Sequence, residues 1–222
     1  MKHYEREEHI GYVRKVLGIV AFQMAFTFLL CIMSSAFTSV GNFFKHPLTL
    51  ILSLALLIGC VCTIAISKEK RTTVPLNYIL LAGATLGETT FLAATAADLK
   101  EFSVFAAIMA TCFAVGALFL AAVKTASSMN RERLIHNMVG ALIGTLILHI
   151  IVIVLVLFSF GIKDKMLVFA ISCLMLVVSG AYVMFALLFI IVPGITDETR
   201  DDYILGALRL YLEIARLFYW MM

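Results

Sequence analysis

Six long apolar runs, at 16–37, 47–66, 76–97, 103–123, 135–160 and 166–192, dominate the chain and decide what it can fold into. Each reaches the roughly 20 residues that an α-helix needs to cross about 30 Å of hydrocarbon. An unpaired backbone amide in lipid costs several kcal/mol, so a spanning segment must be a helix or a strand of a closed barrel. Barrel strands alternate apolar and polar residues over segments of about ten. These runs do not alternate, and helices are expected. Composition agrees: 63% of the 222 residues are hydrophobic and 14% charged, with a mean hydropathy of +1.05, against about 25% charged in soluble domains. The connections are too short to fold independently, and no internal repeat or low-complexity tract is present. Residues 1–222 are expected to form a single transmembrane domain, with 1–15 as a short cytosolic N-terminal segment. The first run is roughly 20 residues long, whereas a signal peptide's apolar region is about 7 to 15, so it is expected to be retained.

Basic residues alternate with the spans. Lys2, Arg6, Arg14, Lys15, Lys68, Lys70, Arg71, Lys124, Arg131, Arg133 and Arg200 fall on one side, and Lys45, Lys100, Lys163 and Lys165 on the other. An asymmetry of 11 to 4 places the N-terminus in the cytosol by the positive-inside rule. The net charge of +3 is small and its basic residues are scattered between apolar runs. That pattern signals topology rather than a nucleic-acid surface, so the expected partner is the lipid bilayer, with no nucleic acid.

The last segment, 203–222, is as long as the others but carries Arg209, Glu213 and Arg216. A central Arg or Asp opposes insertion by roughly 2.5 to 3.5 kcal/mol, and each Leu or Ile returns only about 0.3 to 0.6. The three charges lie four and three residues apart and so share one helical face. Three placements fit: sheathed by the other six helices with its charges inward, re-entrant, or lying on the membrane surface. The expected fold is therefore an all-α bundle of seven transmembrane helices, six clear spans plus this charged one.

Two further ionisable residues fall inside spans, Glu88 in the third and His149 in the fifth. Hydrocarbon selects against such groups, so Glu88 is read as a pore, cavity or coupling carboxylate. His149 is read as a neutral imidazole hydrogen-bonded between helices. Gly83 with Gly87, and Gly140 with Gly144, form GxxxG pairs, read as close helix packing within the bundle. All five cysteines lie in apolar runs without CxxC spacing, and His136 and His149 lie far apart without clustered acids. Disulfides, zinc, other cofactors and enzyme chemistry are not expected. Asp197, Glu198, Asp201 and Asp202 are read as a solvated loop leading into a helix start, where acids complement the helix dipole.

Four stretches in order carry a resemblance. Residues 10–23 read IGYVRKVLGIVAFQ, residues 75–88 read PLNYILLAGATLGE, residues 104–120 contain Thr111 within an apolar helix, and residues 201–218 read DDYILGALRLYLEIARLF. Together they resemble the Bax inhibitor and lifeguard family of membrane proteins. The resemblance implies a seven-helix bundle of the endoplasmic reticulum, Golgi or plasma membrane, a pH-sensitive calcium leak and, in animals, suppression of cell death. It also implies an aspartate near the end of the sixth span, sharing a proton with an acid on the last helix. Glu213 matches that acid, but the sixth span ends Ala186-Leu187-Leu188-Phe189-Ile190-Ile191-Val192, with Ile190 near the expected position. Half of the carboxyl pair is missing. Glu213 is therefore expected to stay ionised in a cluster with Arg209 and Arg216, making any leak less pH-dependent. Glu88 matches the family pattern and is the expected calcium contact, since oxygen ligands suit that ion. The competing expectation is a non-conducting scaffold that regulates cell death through other membrane proteins, favoured by a sixth span offering little polar surface beyond Ser172 and Ser179.

Overall fold

The computed structural model describes residues 3–128, 131–158, 165–192 and 202–222. The apolar runs become helices α1 (His3–Ala36), α3 (Pro47–Ile66), α5 (Leu76–Ala96), α6 (Glu101–Ser128), α7 (Arg131–Phe158) and α8 (Lys165–Ile191), followed by α9 (Tyr203–Met221). Two short helices, α2 (Thr38–Lys45) and α4 (Lys68–Thr72), lie in connections. Six of these helices, α1, α3, α5, α6, α7 and α8, are long and apolar enough to cross a membrane. The architecture is that of a multi-pass helical membrane protein.

The helix of the first span begins within the N-terminal residues. Helix α1 is continuous for 34 residues, about 51 Å at 1.5 Å per residue, and so overshoots a hydrocarbon core of about 30 Å. No proline interrupts it, and its first turns are docked. His9 Nε2 lies 2.8 Å from the Ile191 carbonyl, and Tyr12 packs so closely on Gly206 that a Cβ there would meet its hydroxyl at 2.6 Å. The connection after α1 contains α2, whose half-buried Phe44 packs on the core.

Contacts at the two ends of the bundle fit the alternating direction of the spans. At one end Arg71 of α4 reaches Asp202 at the start of α9 at 2.7 Å. Lys15 lies over the Tyr203 ring, 5.4 Å from its centroid, and the Tyr78 and Tyr203 hydroxyls are 3.1 Å apart. At the other end Lys45 of α2 pairs with Asp98 at 2.6 Å, and Ser35 Oγ donates to the Leu99 carbonyl at 2.9 Å.

Asp202 is not a solvated loop acid. Its side chain is 1% exposed and that of Arg71 13%. The carboxylate is buried where the start of α9 packs against α4, and burial there requires an opposite charge. Asp197, Glu198 and Asp201 lie outside the described residues.

Helices α3 and α5 approach closely because Gly83 and Gly87 present no side chain. A Cβ on Gly83 would come within 2.7 Å of Cys60 Sγ, and one on Gly87 within 2.8 Å of the Ser53 carbonyl. Gly140 and Gly144 behave differently: a Cβ on either would meet no described atom within 4 Å. Helix α7 packs mainly on α8, so this pair faces outward rather than into the bundle.

Gly87→Ala should force α3 and α5 apart and lower the melting temperature of the purified protein by several degrees, whereas Gly144→Ala should leave it unchanged. The two end-on ion pairs should also differ. Arg71→Ala leaves a buried carboxylate short of its partner and should destabilise by about 3 kcal/mol. Lys45→Ala breaks a pair whose side chains are 37% and 71% exposed, and should alter stability by less than about 1 kcal/mol. Thermal unfolding in detergent of the two variants side by side measures the difference.

Candidate functional site

Helix α9 is enclosed by α1, α3, α5, α6 and α8. Its buried surface is the apolar one, including Leu205, Ala207, Leu208, Leu210, Ile214, Leu217 and Phe218. Segregating leucines from charges lets a helix of this composition be sheathed: the apolar side fills the core and the charged side is left toward a gap. The surface-lying placement is therefore not adopted. The charges do not plunge into the core either, since Arg209 is exposed and the Glu213 and Arg216 side chains are 21% and 39% exposed.

One polar residue does sit on the buried side. The Tyr211 hydroxyl lies 3.0 Å from Thr27 Oγ1 and 3.2 Å from Thr89 Oγ1, and those two threonines are 2.8 Å apart. Beside them Gln23 Nε2 donates to Thr85 Oγ1 at 2.6 Å, and Thr85 Oγ1 donates to the Leu81 carbonyl at 2.8 Å. All five side chains are buried. Side-chain hydroxyls of α1, α5 and α9 thus meet one another in the middle of the bundle.

On the charged side of α9 a cavity of about 430 Å³ opens between α5, α7, α8 and α9. Glu88 of α5, His149 of α7 and Arg216 of α9 line it, with Trp220 and Met175 among its less polar walls. Three ionisable residues that are scattered through the sequence therefore meet in one space. Arg216 Nη1 lies 3.1 Å from Glu213 Oε2, an ion pair without hydrogen-bond alignment. The Arg216 guanidinium also sits over the Tyr182 ring, 5.6 Å from its centroid, and His149 meets the same ring edge-on at 5.9 Å. Tyr182 of α8 is thus flanked by a cation and an imidazole. Glu88 is half-buried and, among the described residues, makes neither a hydrogen bond nor an ion pair within 4 Å.

A family model described as "Inhibitor of apoptosis-promoting Bax1" matches residues 9–222. The chain belongs to the Bax inhibitor family. No curated protein and no solved structure matches it. In this Bax inhibitor family member the position near Ile190 is apolar in its surroundings as well as its sequence, for Ile190 is 3% exposed within the main hydrophobic core. Glu213 has a guanidinium rather than a second carboxyl as its near neighbour.

The structure brings Glu88, His149, Arg216 and, through its ion pair, Glu213 together. Arg209 shares α9 with Glu213 and Arg216 but is not the residue that closes on Glu213; the three-residue spacing to Arg216 is the one that places the groups in contact. Among the described residues His149 contacts an aromatic ring rather than making a hydrogen bond, since α7 stands off from α5 and α9 across the cavity. Among the described residues no group of three or more His, Cys, Asp or Glu is close enough to hold a metal ion. Sequence reasoning missed Tyr182, Tyr211, Gln23, Thr27, Thr85 and Thr89. The threonines and glutamine do carry a periodic signal, four residues apart on α1 and again on α5, which marks one polar stripe on each helix.

Tyr211→Phe should leave the Thr27–Thr89 contact in place and remove only the tie to α9, lowering stability by about 1 kcal/mol. Tyr211→Ala, which also empties a fully buried ring site, should destabilise by about 3 to 5 kcal/mol. Thermal unfolding in one detergent separates the two.

Proposed function

We propose that this Bax inhibitor family member is a membrane-embedded cation leak, with calcium as the permeant ion, through which it influences intracellular calcium and cell death. The observation that supports this reading most is the cavity shared by α5, α7, α8 and α9. There a half-buried carboxylate, Glu88, faces open space with no hydrogen bond or ion pair within 4 Å among the described residues, inside an apolar run where hydrocarbon penalises an idle charge. A carboxylate lining a wet recess draws cations toward it, and one carboxylate alone holds calcium weakly, since that ion takes six or more oxygens. Weak holding suits a leak rather than a store.

Under the same reading α9 is a seventh membrane-embedded helix, its apolar side sealed by the other spans and its Arg209, Glu213 and Arg216 side turned to the conduction route. The basic end of the bundle lies in the cytosol, and the protein resides in the endoplasmic reticulum or Golgi, or in the plasma membrane. No chemical reaction and no cofactor is assigned to the chain.

A second reading is a non-conducting scaffold for other membrane proteins of the cell-death machinery. It is favoured by α7, which packs mainly on α8 and leaves Val139, Leu142, Ile143, Leu146 and Ile147 exposed beside the open Gly140 and Gly144.

Purified protein in liposomes loaded with a calcium dye distinguishes the two. The leak reading expects flux above empty vesicles that falls about tenfold in Glu88→Gln, since a lost carboxylate removes the attraction for the ion. Folded protein that carries no flux at any calcium gradient would overturn it in favour of the scaffold.

A further inference from the structure

We infer that Arg216 is a tethered counter-cation that competes with calcium for the acids of the cavity and so sets how strongly this protein holds the ion. The inference rests on the leak reading above and concerns what limits it.

The arrangement is one guanidinium with two carboxylates near it, Glu88 lining the same cavity and Glu213 as its ion-pair partner. Arg216 lines the cavity opposite Glu88 and is held 3.1 Å from Glu213, one turn back on its own helix. The Tyr182 face supports the guanidinium from α8. Because Arg216 is covalently anchored in the wall, its local concentration is high and independent of the calcium outside. Its planar, permanently charged head also satisfies a carboxylate without needing six oxygens around it. Two carboxylates and one guanidinium leave the group with one net negative charge. A dication approaching Glu88 meets attraction from two acids and repulsion from a fixed cation, in surroundings where charge interactions are stronger than in water.

The side chain has room to act in this way. Arg216 is 39% exposed and its contact with Glu213 lacks hydrogen-bond alignment, so it is not locked as a buried structural pair would be. Neutralising it should unmask Glu213 toward the cavity and add one negative charge to the group. Neutralising both partners should restore the original net charge with Glu88 as the acid left.

That charge ledger orders the variants. Equilibrium binding of radiolabelled calcium to the full chain in nanodiscs at fixed pH gives affinities. Emission of Trp220, the single tryptophan and a cavity-wall residue, reports binding at this place. Arg216→Gln should bind calcium about tenfold tighter or more. Arg216→Gln combined with Glu213→Gln should return to within about threefold of the parent, because the net charge is restored. Arg216→Lys keeps the charge and should also stay within about threefold. Glu88→Gln should weaken binding. Circular dichroism and thermal unfolding establish that each protein is folded, and the lysine variant serves should the glutamine variant fail to fold: binding about tenfold tighter in Arg216→Lys would overturn the competition. If Glu88→Gln weakens binding while folded Arg216→Gln binds no tighter than the parent, the role of Arg216 is overturned and the cation site stands. If neither the parent nor Arg216→Gln binds calcium at millimolar concentration, the leak reading falls with it.

Discussion

The Tyr211 hydroxyl, meeting Thr27 and Thr89 in the middle of the bundle, is the contact on which the arrangement of the other helices depends. Inside a membrane, apolar side chains gain little by leaving lipid for protein, so association rests on close packing and on polar groups that find each other. Three helices from distant parts of the chain supply the oxygens of this node. Once α9 is tied to α1 and α5 there, its leucines fill the core between α1, α6 and α8, and its charged side has one direction left to face.

The cavity follows from that orientation. Arg216 and Glu213 emerge on the side of α9 away from α1, where α7 stands off and leaves space. Glu88 arrives from the opposite wall because Thr85 and Thr89, three residues before it and one after it, are turned into the node. The same helical period that buries the threonines therefore turns the glutamate aside. At one end of the bundle the Arg71–Asp202 pair fastens the start of α9 to α4, which fixes how far along its axis α9 sits. A polar node in the centre and an ion pair at the end together define both the rotation and the position of the charged helix.

Much of this fold was legible beforehand, and the parts that were not share a cause. The six spans, the alternation of their direction and the unusual character of the last helix follow from apolar run length and charge placement, which are local quantities. Glu88 and the Arg209, Glu213, Arg216 face were visible because an ionisable residue in an apolar run is conspicuous whatever surrounds it. Tyr182 and Tyr211 were not, since a tyrosine in a membrane helix is ordinary until its neighbour is known. Asp202 misled for the opposite reason: an acid ahead of a helix has a sufficient local explanation in the helix dipole, and its pairing with Arg71, far away in sequence, overrides it. The two GxxxG pairs look alike in sequence, yet one is pressed against α3 and the other meets open space.

The sequence by itself determined that the chain lives in lipid, that its spans are helices, and which charges cannot rest idle there. Those conclusions depend on transfer between water and hydrocarbon, which each residue undergoes on its own. Only the tertiary structure decided that Glu88, His149 and Arg216 share one cavity, that Arg216 rather than Arg209 meets Glu213, and that the apolar side of α9 is the side enclosed. Those are matters of relative rotation and register between helices, set by packing and by hydrogen bonds between residues far apart in the chain, and no local pattern encodes them.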